Sequence, residues 1–106
     1  MNPPILQRIV DLIVPLVEPN KIILFGSYAR GDYSNISDID LLILKKNLKN
    51  ERELFNLIEY TFFDNDIDVA VDHVSMDYDK YYNVCNDTGY FYKSVEREGM
   101  TIYESV

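Results

Sequence analysis

The sequence predicts a single α+β domain spanning residues 1–106. Segments with apolar residues at helical spacing alternate with short apolar runs rich in β-branched residues, which is the pattern of helices and strands packed in one unit. The chain has 106 residues, the size of one small domain. Apolar types make up 47% of it and charged types 26%, so neither disorder nor a fibrous repeat is expected.

The chain begins with a predicted helix followed by a strand. Apolar residues recur at helical spacing from Pro4, which suits the first turn of a helix, and Pro15 should end or kink that helix near Val14. The apolar run KIILF, Lys21 to Phe25, predicts a buried strand that stops at Gly26.

A short turn of helix and a central strand come next. Ser27 to Gly31 predict one helical turn, with Ser27 near its N-cap. A polar loop then leads to a second strand over Asp38 to Leu44, whose tail is apolar on both faces, as is typical of a central strand.

The second half of the chain predicts three helices and two strands. The first of these helices is amphipathic, and the strand after it alternates apolar residues with acids. The predicted elements are a helix over Glu51 to Phe63, a strand over Ile67 to Val74, helices over Tyr78 to Cys85 and Thr88 to Glu98, and a short strand over Met100 to Ser105.

The chain is acidic, with 18 acids against 10 bases and a net charge of -8. Such a surface repels phosphate backbones, so direct nucleic-acid binding is not expected, although a nucleotide whose phosphates arrive with Mg²⁺ remains compatible. The single cysteine, Cys85, excludes an internal disulfide framework, and the single histidine, His73, leaves little for a Ser-His-Asp device. Since no leader peptide or membrane-spanning run is evident, a soluble cytoplasmic domain with carboxylate chemistry is expected.

Two carboxylates open the second strand. Asp38 and Asp40 stand two residues apart, so both side chains leave the same face of the strand near its start. Their mutual repulsion requires a countercharge or protonation, and no lysine or arginine is evident as a partner on that face. Hard oxygen ligands suit Mg²⁺, which keeps waters and shares substrate phosphates. Asp38 and Asp40 are therefore candidate metal ligands and catalytic residues.

The third strand supplies a further candidate carboxylate. Asp66, Asp68 and Asp72 lie on one face of this predicted strand. Asp68 is flanked by Ile67 and Val69 well inside the strand, where an unpaired charge is unfavourable, so Asp68 is the predicted catalytic and metal-binding residue. Asp66 and Asp72 are interpreted as solvated strand ends, although either is near enough in sequence to take its place.

A candidate phosphate-binding turn follows the first strand. Gly26 lets a phosphate approach the backbone, Ser27 adds a hydroxyl donor, and Arg30 lies one turn further on. A phosphate-binding turn beside three carboxylates is the layout of two-metal phosphoryl or nucleotidyl transfer. In that chemistry one metal lowers the pKa of the attacking hydroxyl, and the other neutralises the triphosphate and the leaving pyrophosphate.

The segment GSYARGDYSNISDIDLLI, residues 26–43, resembles the G-S-x-A-x-G…S-D-x-D-L-x-[VI] pattern of the DNA polymerase β-like nucleotidyltransferase superfamily. It is most similar to the minimal (MNT-type) nucleotidyltransferases, and IDVAV supplies the later strand carboxylate of that family at Asp68. The resemblance covers nearly the whole chain. Its motif is specific for the superfamily and only suggestive of the substrate.

The resemblance implies a polymerase β-like fold, with a mixed β-sheet flanked by helices. It implies that Asp38 and Asp40 hold Mg²⁺ and that Gly26 and Ser27 hold the triphosphate of ATP. It also implies that Asp68 completes the shell of one metal and helps to deprotonate the acceptor hydroxyl.

Small members of this family are typically paired with a HEPN-type toxin, a helical RNase. The resemblance therefore implies an antitoxin that transfers AMP from ATP to a tyrosine of such a partner. Two alternatives are a non-catalytic antitoxin that binds and occludes its partner, and a small-molecule nucleotidyltransferase that acts as a homodimer.

Aromatic residues crowd the last third of the chain, which has nine tyrosines and five phenylalanines in all. Packing of helices against the sheet is expected for most of them, and a partner-binding surface is the alternative. The crowded set comprises Tyr78, Tyr81, Tyr82, Tyr90, Phe91 and Tyr92.

Overall fold

The protein is described from a computed structural model that covers residues 4–34, 38–84 and 89–105, with the backbone alone for residues 90 and 91. Ser37 of the sequence motif and Cys85 lie outside the described residues. No described helix is both long and apolar enough to cross a membrane. The elements are α1 (Pro4–Val17), β1 (Lys21–Phe25), α2 (Ser27–Arg30), β2 (Ile39–Lys45), α3 (Glu51–Asp64), β3 (Val71–Asp77), α4 (Tyr78–Val84), α5 (Tyr90–Glu98) and β4 (Met100–Glu104).

The four strands form one mixed sheet in the order β3-β2-β1-β4. β1 is antiparallel to both β2 and β4, whereas β2 and β3 are parallel. The parallel pair requires a crossover, and α3 provides it. The predicted α+β fold with a mixed sheet flanked by helices is confirmed.

One face of the sheet is covered by α1 and α3, and we call it the α1–α3 face. Its core is almost entirely aliphatic, with Leu41 and Ile43 of β2 fully buried against the two helices. This packing follows from the helical spacing of apolar residues in α1, which turns one continuous apolar stripe toward the sheet. The helix residues buried here are Leu6, Ile9, Ile13, Val17, Ile58 and Phe62.

The opposite face is covered by α4 and α5, and we call it the α4–α5 face. Leu42 and Leu44 of β2 are buried here with Tyr81, whose hydroxyl donates to Glu96 at 2.6 Å. The expected packing of the crowded aromatic residues against the sheet is confirmed for the four tyrosines of that set whose side chains are described. Those packed on this face are Tyr78, Tyr81, Tyr82 and Tyr92.

The last turn of α1 differs from the prediction. The helix continues through Pro15 to Val17, so the expectation that it ends near Val14 is wrong. Proline removes one backbone hydrogen bond, but Val17 is buried in the core and the amide of Glu18 donates to the carbonyl of Val14 at 2.9 Å. Burial of the apolar side chain therefore outweighs the missing donor.

The third strand begins four residues later than predicted, at Val71 rather than Ile67. Residues 67–70 keep the predicted alternation of half-buried and exposed side chains, but they belong to no strand. The turn that ends α3 explains the delay: Asp66 adopts a positive φ of 55°, and the amide of Ile67 donates to the carbonyl of Phe62. The strand also extends to Asp77, which caps α4 by accepting from the amide of Lys80.

Candidate active site

Asp40 and Asp72 lie side by side on neighbouring parallel strands. Asp40 is the second residue of β2, and its register partner in β3 is Asp72. Residues in register on adjacent strands point to the same face of the sheet. Since Leu42 and Leu44 follow Asp40 into the α4–α5 face, both carboxylates emerge on that face at the start of the parallel pair.

Asp38 stands directly before β2 and is exposed, whereas Asp40 is half-buried. The pKa of the Asp40 carboxyl is raised, first by burial and then by the negative charges of Asp72 and Asp38. Arg30 acts in the opposite direction and lowers that pKa. The predicted repulsion between Asp38 and Asp40 is thus present, and Arg30 is the nearby cation that the sequence did not reveal.

Gly26 is required by both its conformation and its neighbour. It has a φ of 74° and a ψ of −154°, a region that favours glycine. A Cβ at this position would overlap Oδ2 of Asp40 far inside van der Waals contact. The glycine that ends β1 therefore lets the backbone lie directly against a candidate metal ligand.

The turn after Gly26 forms the short helix α2. Its N-cap is Gly26, so Ser27 is the first helical residue and lies next to the N-cap as predicted, and no side chain caps the helix. Gly31 ends the helix in the left-handed conformation, with φ at 85° and its amide donating to the carbonyl of Ser27. The predicted helical turn is confirmed, and it holds Ser27 next to the strand that carries Asp40.

Arg30 lies on this turn but is engaged with carboxylates. Its Nε is 3.1 Å from Oδ2 of Asp32, and its Nη1 is 3.3 Å from Oε1 of Glu98. The side chain is 43% exposed, and exposed ion pairs of this kind contribute little to stability. Arg30 can therefore leave these partners at small cost to meet an incoming anion.

Asp68 lies outside the strand, which contradicts the prediction that it stands well inside one. It is exposed, two residues before Ala70, whose carbonyl accepts from the amide of Ile39. Asp68 lines an open pocket with Asp64 and Asp66. The acids whose charges act on Asp40 are instead Asp72 and Asp38.

The interpretation of Asp72 as a solvated residue at a strand end agrees with its exposed side chain near the start of β3, but it did not place Asp72 beside Asp40. The alternation along residues 67–72 already set Asp72 on the same face as Asp68. What was missing was the register, because only the parallel pairing with β2 sets Asp72 opposite Asp40.

The carboxylates of Asp38, Asp40 and Asp72 lie at the start of β2 and β3 but do not surround a single point. Within residues 4–34, 38–84 and 89–105, no group of three or more His, Cys, Asp and Glu side chains could hold a metal ion. Asp38, Asp40 and Asp72 thus form an open acidic rim. A site of this kind leaves most of a metal's coordination sphere to water and substrate, as Mg²⁺ sites usually do.

Short stretches of the chain are similar to three candidate protein adenylyltransferases of Methanocaldococcus jannaschii. The identities are 50% over 40 residues, 79% over 24 residues and 61% over 31 residues. These matches cover 38%, 23% and 29% of this chain. They cover 40%, 24% and 21% of the relatives, so each similarity spans less than half of the relative's length.

The fold is similar to that of solved structures over almost the whole chain. A toxin–antitoxin complex with AMP-PNP matches with a TM-score of 0.66 and 20% identity, covering 93% of this chain and 73% of that one. A candidate nucleotidyltransferase from Sulfolobus solfataricus matches with a TM-score of 0.65 and 22% identity, covering 94% and 78%. At these identities the likeness concerns the fold.

The family is decided by a match along most of the sequence. The profile of the nucleotidyltransferase domain matches residues 5–100, which includes β1, the turn at Gly26 and both parallel strands. The side-by-side carboxylates and the glycine turn occupy the middle of that match. This chain belongs to the nucleotidyltransferase domain family.

Proposed function

We propose that the chain is a Mg²⁺-dependent nucleotidyltransferase that transfers AMP from ATP to a hydroxyl of a partner toxin and thereby neutralises it. The observation that carries the proposal is the in-register pair of Asp40 and Asp72 beside the turn at Gly26. The acceptor is a tyrosine hydroxyl, and the partner is a HEPN-type toxin, as the resemblance of the sequence motif implies.

The residues at the rim fit Mg²⁺. Burial raises the pKa of Asp40, and the negative charges of Asp72 and Asp38 raise it further, so a cation bound there would relieve their repulsion. The donors are carboxylate oxygens, which suit a hard cation. Asp40, with Asp38 or Asp72 beside it, would hold the metal together with water and substrate oxygens. The bound metal would neutralise the triphosphate and make the acceptor hydroxyl easier to deprotonate. Asp72 takes the place that the sequence prediction gave to Asp68.

The chain's own groups account for the rest of the reaction. Gly26 lets the triphosphate lie against the backbone, Ser27 offers its hydroxyl, and Arg30 moves from its carboxylate partners to the phosphates. The acceptor oxygen attacks the α-phosphorus, the bond to the bridging oxygen breaks, and pyrophosphate leaves with the electron pair. The proton of the acceptor hydroxyl passes to a carboxylate oxygen of Asp72.

The names of the similar proteins support this reading. The three relatives from M. jannaschii are named as protein adenylyltransferases. Two of the similar structures are of toxin–antitoxin proteins, one solved with AMP-PNP and one of MntA-HpeT with two Asp-to-Glu substitutions that stand two residues apart. Asp38 and Asp40 have the same spacing. A further MntA-HpeT structure carries a Tyr-to-Ala substitution.

The test is transfer of label from α-labelled ATP to the protein encoded by the neighbouring gene, with Mg²⁺ present. We expect label on that protein with the unaltered chain and none with Asp40→Asn. The same reactions are assayed for neutralisation of the partner. If Asp40→Asn neutralises the partner as well as the unaltered chain does, the protein acts by occlusion and the proposal is wrong.

A matched pair of variants decides which acid is the third carboxylate. Asp72→Asn should reduce transfer by about 100-fold or more, since several kcal/mol of charge stabilisation is lost and each 1.4 kcal/mol is tenfold. Asp68 is also an exposed acid, but it lies before β3 whereas Asp72 lies in it. Asp68→Asn should change transfer by less than about fivefold. The reverse order would restore Asp68 to the site.

A further inference from the structure

Two large aromatic side chains stand in solvent on α3. Tyr60 is 65% exposed and Phe63 is 83% exposed, although both belong to a helix whose other face is buried in the core. They are three residues apart and therefore lie on one face of the helix. An exposed pair of this size is unusual for a soluble domain and is typical of a surface that another molecule covers.

A groove lies beside Phe63 and reaches the edge strand β3 at Asp72. It has a volume of about 380 Å³ and lies between the end of α3 and residues 67–72. Phe63, Ile67 and Val69 form its apolar wall, and Asp72 lines its far end. We call this cleft the α3 groove. The groove thus runs from an exposed aromatic anchor to β3, and its occupant would cross the edge of the sheet to reach the Asp72 carboxylate on the α4–α5 face.

The surroundings of the α3 groove are acidic. The residues that line it and the adjoining pocket include five acids, and none of these described lining residues is a lysine or an arginine. Arg8 is a cation at this end of α3, where it donates to the carbonyl of Asn65. A positively charged occupant is therefore favoured over a second copy of a chain whose net charge is -8. The five acids are Glu59, Asp64, Asp66, Asp68 and Asp72.

We propose that the α3 groove binds a basic segment of the acceptor protein, with an apolar side chain of that segment packed on Phe63. The inference rests on the proposed function, because a segment bound in the groove can serve as the acceptor only if Asp72 belongs to the catalytic site. The segment crosses the edge of the sheet next to β3 and brings its hydroxyl to Asp72. Recognition thus comes from contact with Phe63 and from charge complementarity with the surrounding acids.

The test uses the full chain and a short synthetic peptide of alternating arginine, leucine and tyrosine, with binding followed through backbone amide shifts in NMR. We expect the shifts to concentrate between residues 59 and 72. Phe63→Ser and Asp64→Lys should each weaken binding by about tenfold or more. Matched controls on β4 at the opposite edge of the sheet, Met100→Ser and Glu104→Lys, should change it by less than about twofold.

Several results would overturn the proposal. It is wrong if the β4 controls weaken binding as much as the groove variants do, if the peptide binds elsewhere, or if no shifts appear. It is also wrong if Phe63→Ser abolishes a dimer of the chain in sedimentation, because a second copy would then be the occupant.

Failure of the groove and failure of the proposed function are separable. Peptide binding that persists in Asp40→Asn and is lost in Phe63→Ser supports the groove whatever the chemistry is. Label transfer that is lost in Asp40→Asn while Phe63→Ser binds the peptide normally supports the chemistry and rejects the groove.

Discussion

The two faces of the sheet are built differently. The α1–α3 face is filled with aliphatic side chains, and the apolar residues of β2 that point to it, such as Leu41, are fully buried. The α4–α5 face relies on tyrosines and is covered only in part, because Val74 of β3 remains 42% exposed there. Asp40 and Asp72 lie on this second face. The first face is packed along the sheet, whereas the second is packed in part and leaves two carboxylates at the start of the parallel strands.

The largest expected effect concerns the α1–α3 face. Leu41→Ala should lower the free energy of unfolding by about 3 kcal/mol, since a fully buried leucine leaves a cavity that the packed helices cannot fill. Val74→Ala, on the incompletely covered face, should lower it by less than about 1 kcal/mol. Urea denaturation of both variants measures the difference. Equal losses would show that the two faces are packed alike.

The next effect separates two reasons for glycine: the lack of room for a Cβ beside Asp40, which applies only at Gly26, and a positive φ, which Gly26 and Gly31 share. Gly26→Ala and Gly31→Ala both force alanine into a positive φ, but a new Cβ overlaps Asp40 only at Gly26, and at Gly31 it meets open space. We expect Gly26→Ala to reduce AMP transfer by about 100-fold, as displacement of a reacting group by 1 Å can do. Gly31→Ala should destabilise by about 1 kcal/mol and largely retain transfer.

Equal activities of the two alanine variants would mean that close approach of Gly26 to Asp40 has no role. Thermal unfolding of both chains is the control, because a variant that fails to fold says nothing about the site.

A smaller effect concerns the hydroxyl of Tyr81 on the α4–α5 face. Tyr81→Phe removes a buried hydroxyl that donates to Glu96 at 2.6 Å, which should lower stability by about 1.5 kcal/mol. Tyr60→Phe removes a hydroxyl from a side chain that is 65% exposed and should change stability by less than about 0.5 kcal/mol. If both variants unfold at the same denaturant concentration, the Tyr81 hydrogen bond contributes nothing.

The smallest expected effect is a pH dependence of the free energy of unfolding, caused by His73 on the α1–α3 face. His73 is buried and its ring stacks on Phe55 at 4.5 Å; burial lowers its pKa from 6.5, and the hydrogen bond to Glu59 opposes that shift in part. Because the unfolded chain then takes up a proton more readily, the stability due to neutral His73 is complete above pH 6.5 and is lost as the pH falls.

The measurement is the free energy of unfolding between about pH 7.5 and about pH 5.5, where histidine titrates. The unaltered chain should lose more stability over this range than His73→Phe, which has no titrating ring. Parallel curves for the two chains would contradict the assignment to His73.

Much of the architecture was predictable because it depends on local patterns. The run KIILF is β1 with the predicted bounds, and the predicted start of α3 at Glu51 is confirmed, with Asn50 accepting from the amide of Glu53. The positions of Gly26 and Asp40 in the family motif were also predictable, because local patterns place Gly26 directly after β1 and Asp40 in β2. Their placement against each other was not predictable from spacing alone.

The sequence by itself determined the fold class, the helical turn after Gly26 and the Asp38–Asp40 pair, because apolar periodicity and turn chemistry act over a few residues. Tertiary structure decided the remainder. Burial of Val17 carried α1 through Pro15, and the turn after α3 delayed β3. The parallel register then set Asp72 opposite Asp40, since contact between strands that are distant in sequence depends on how the whole sheet is packed.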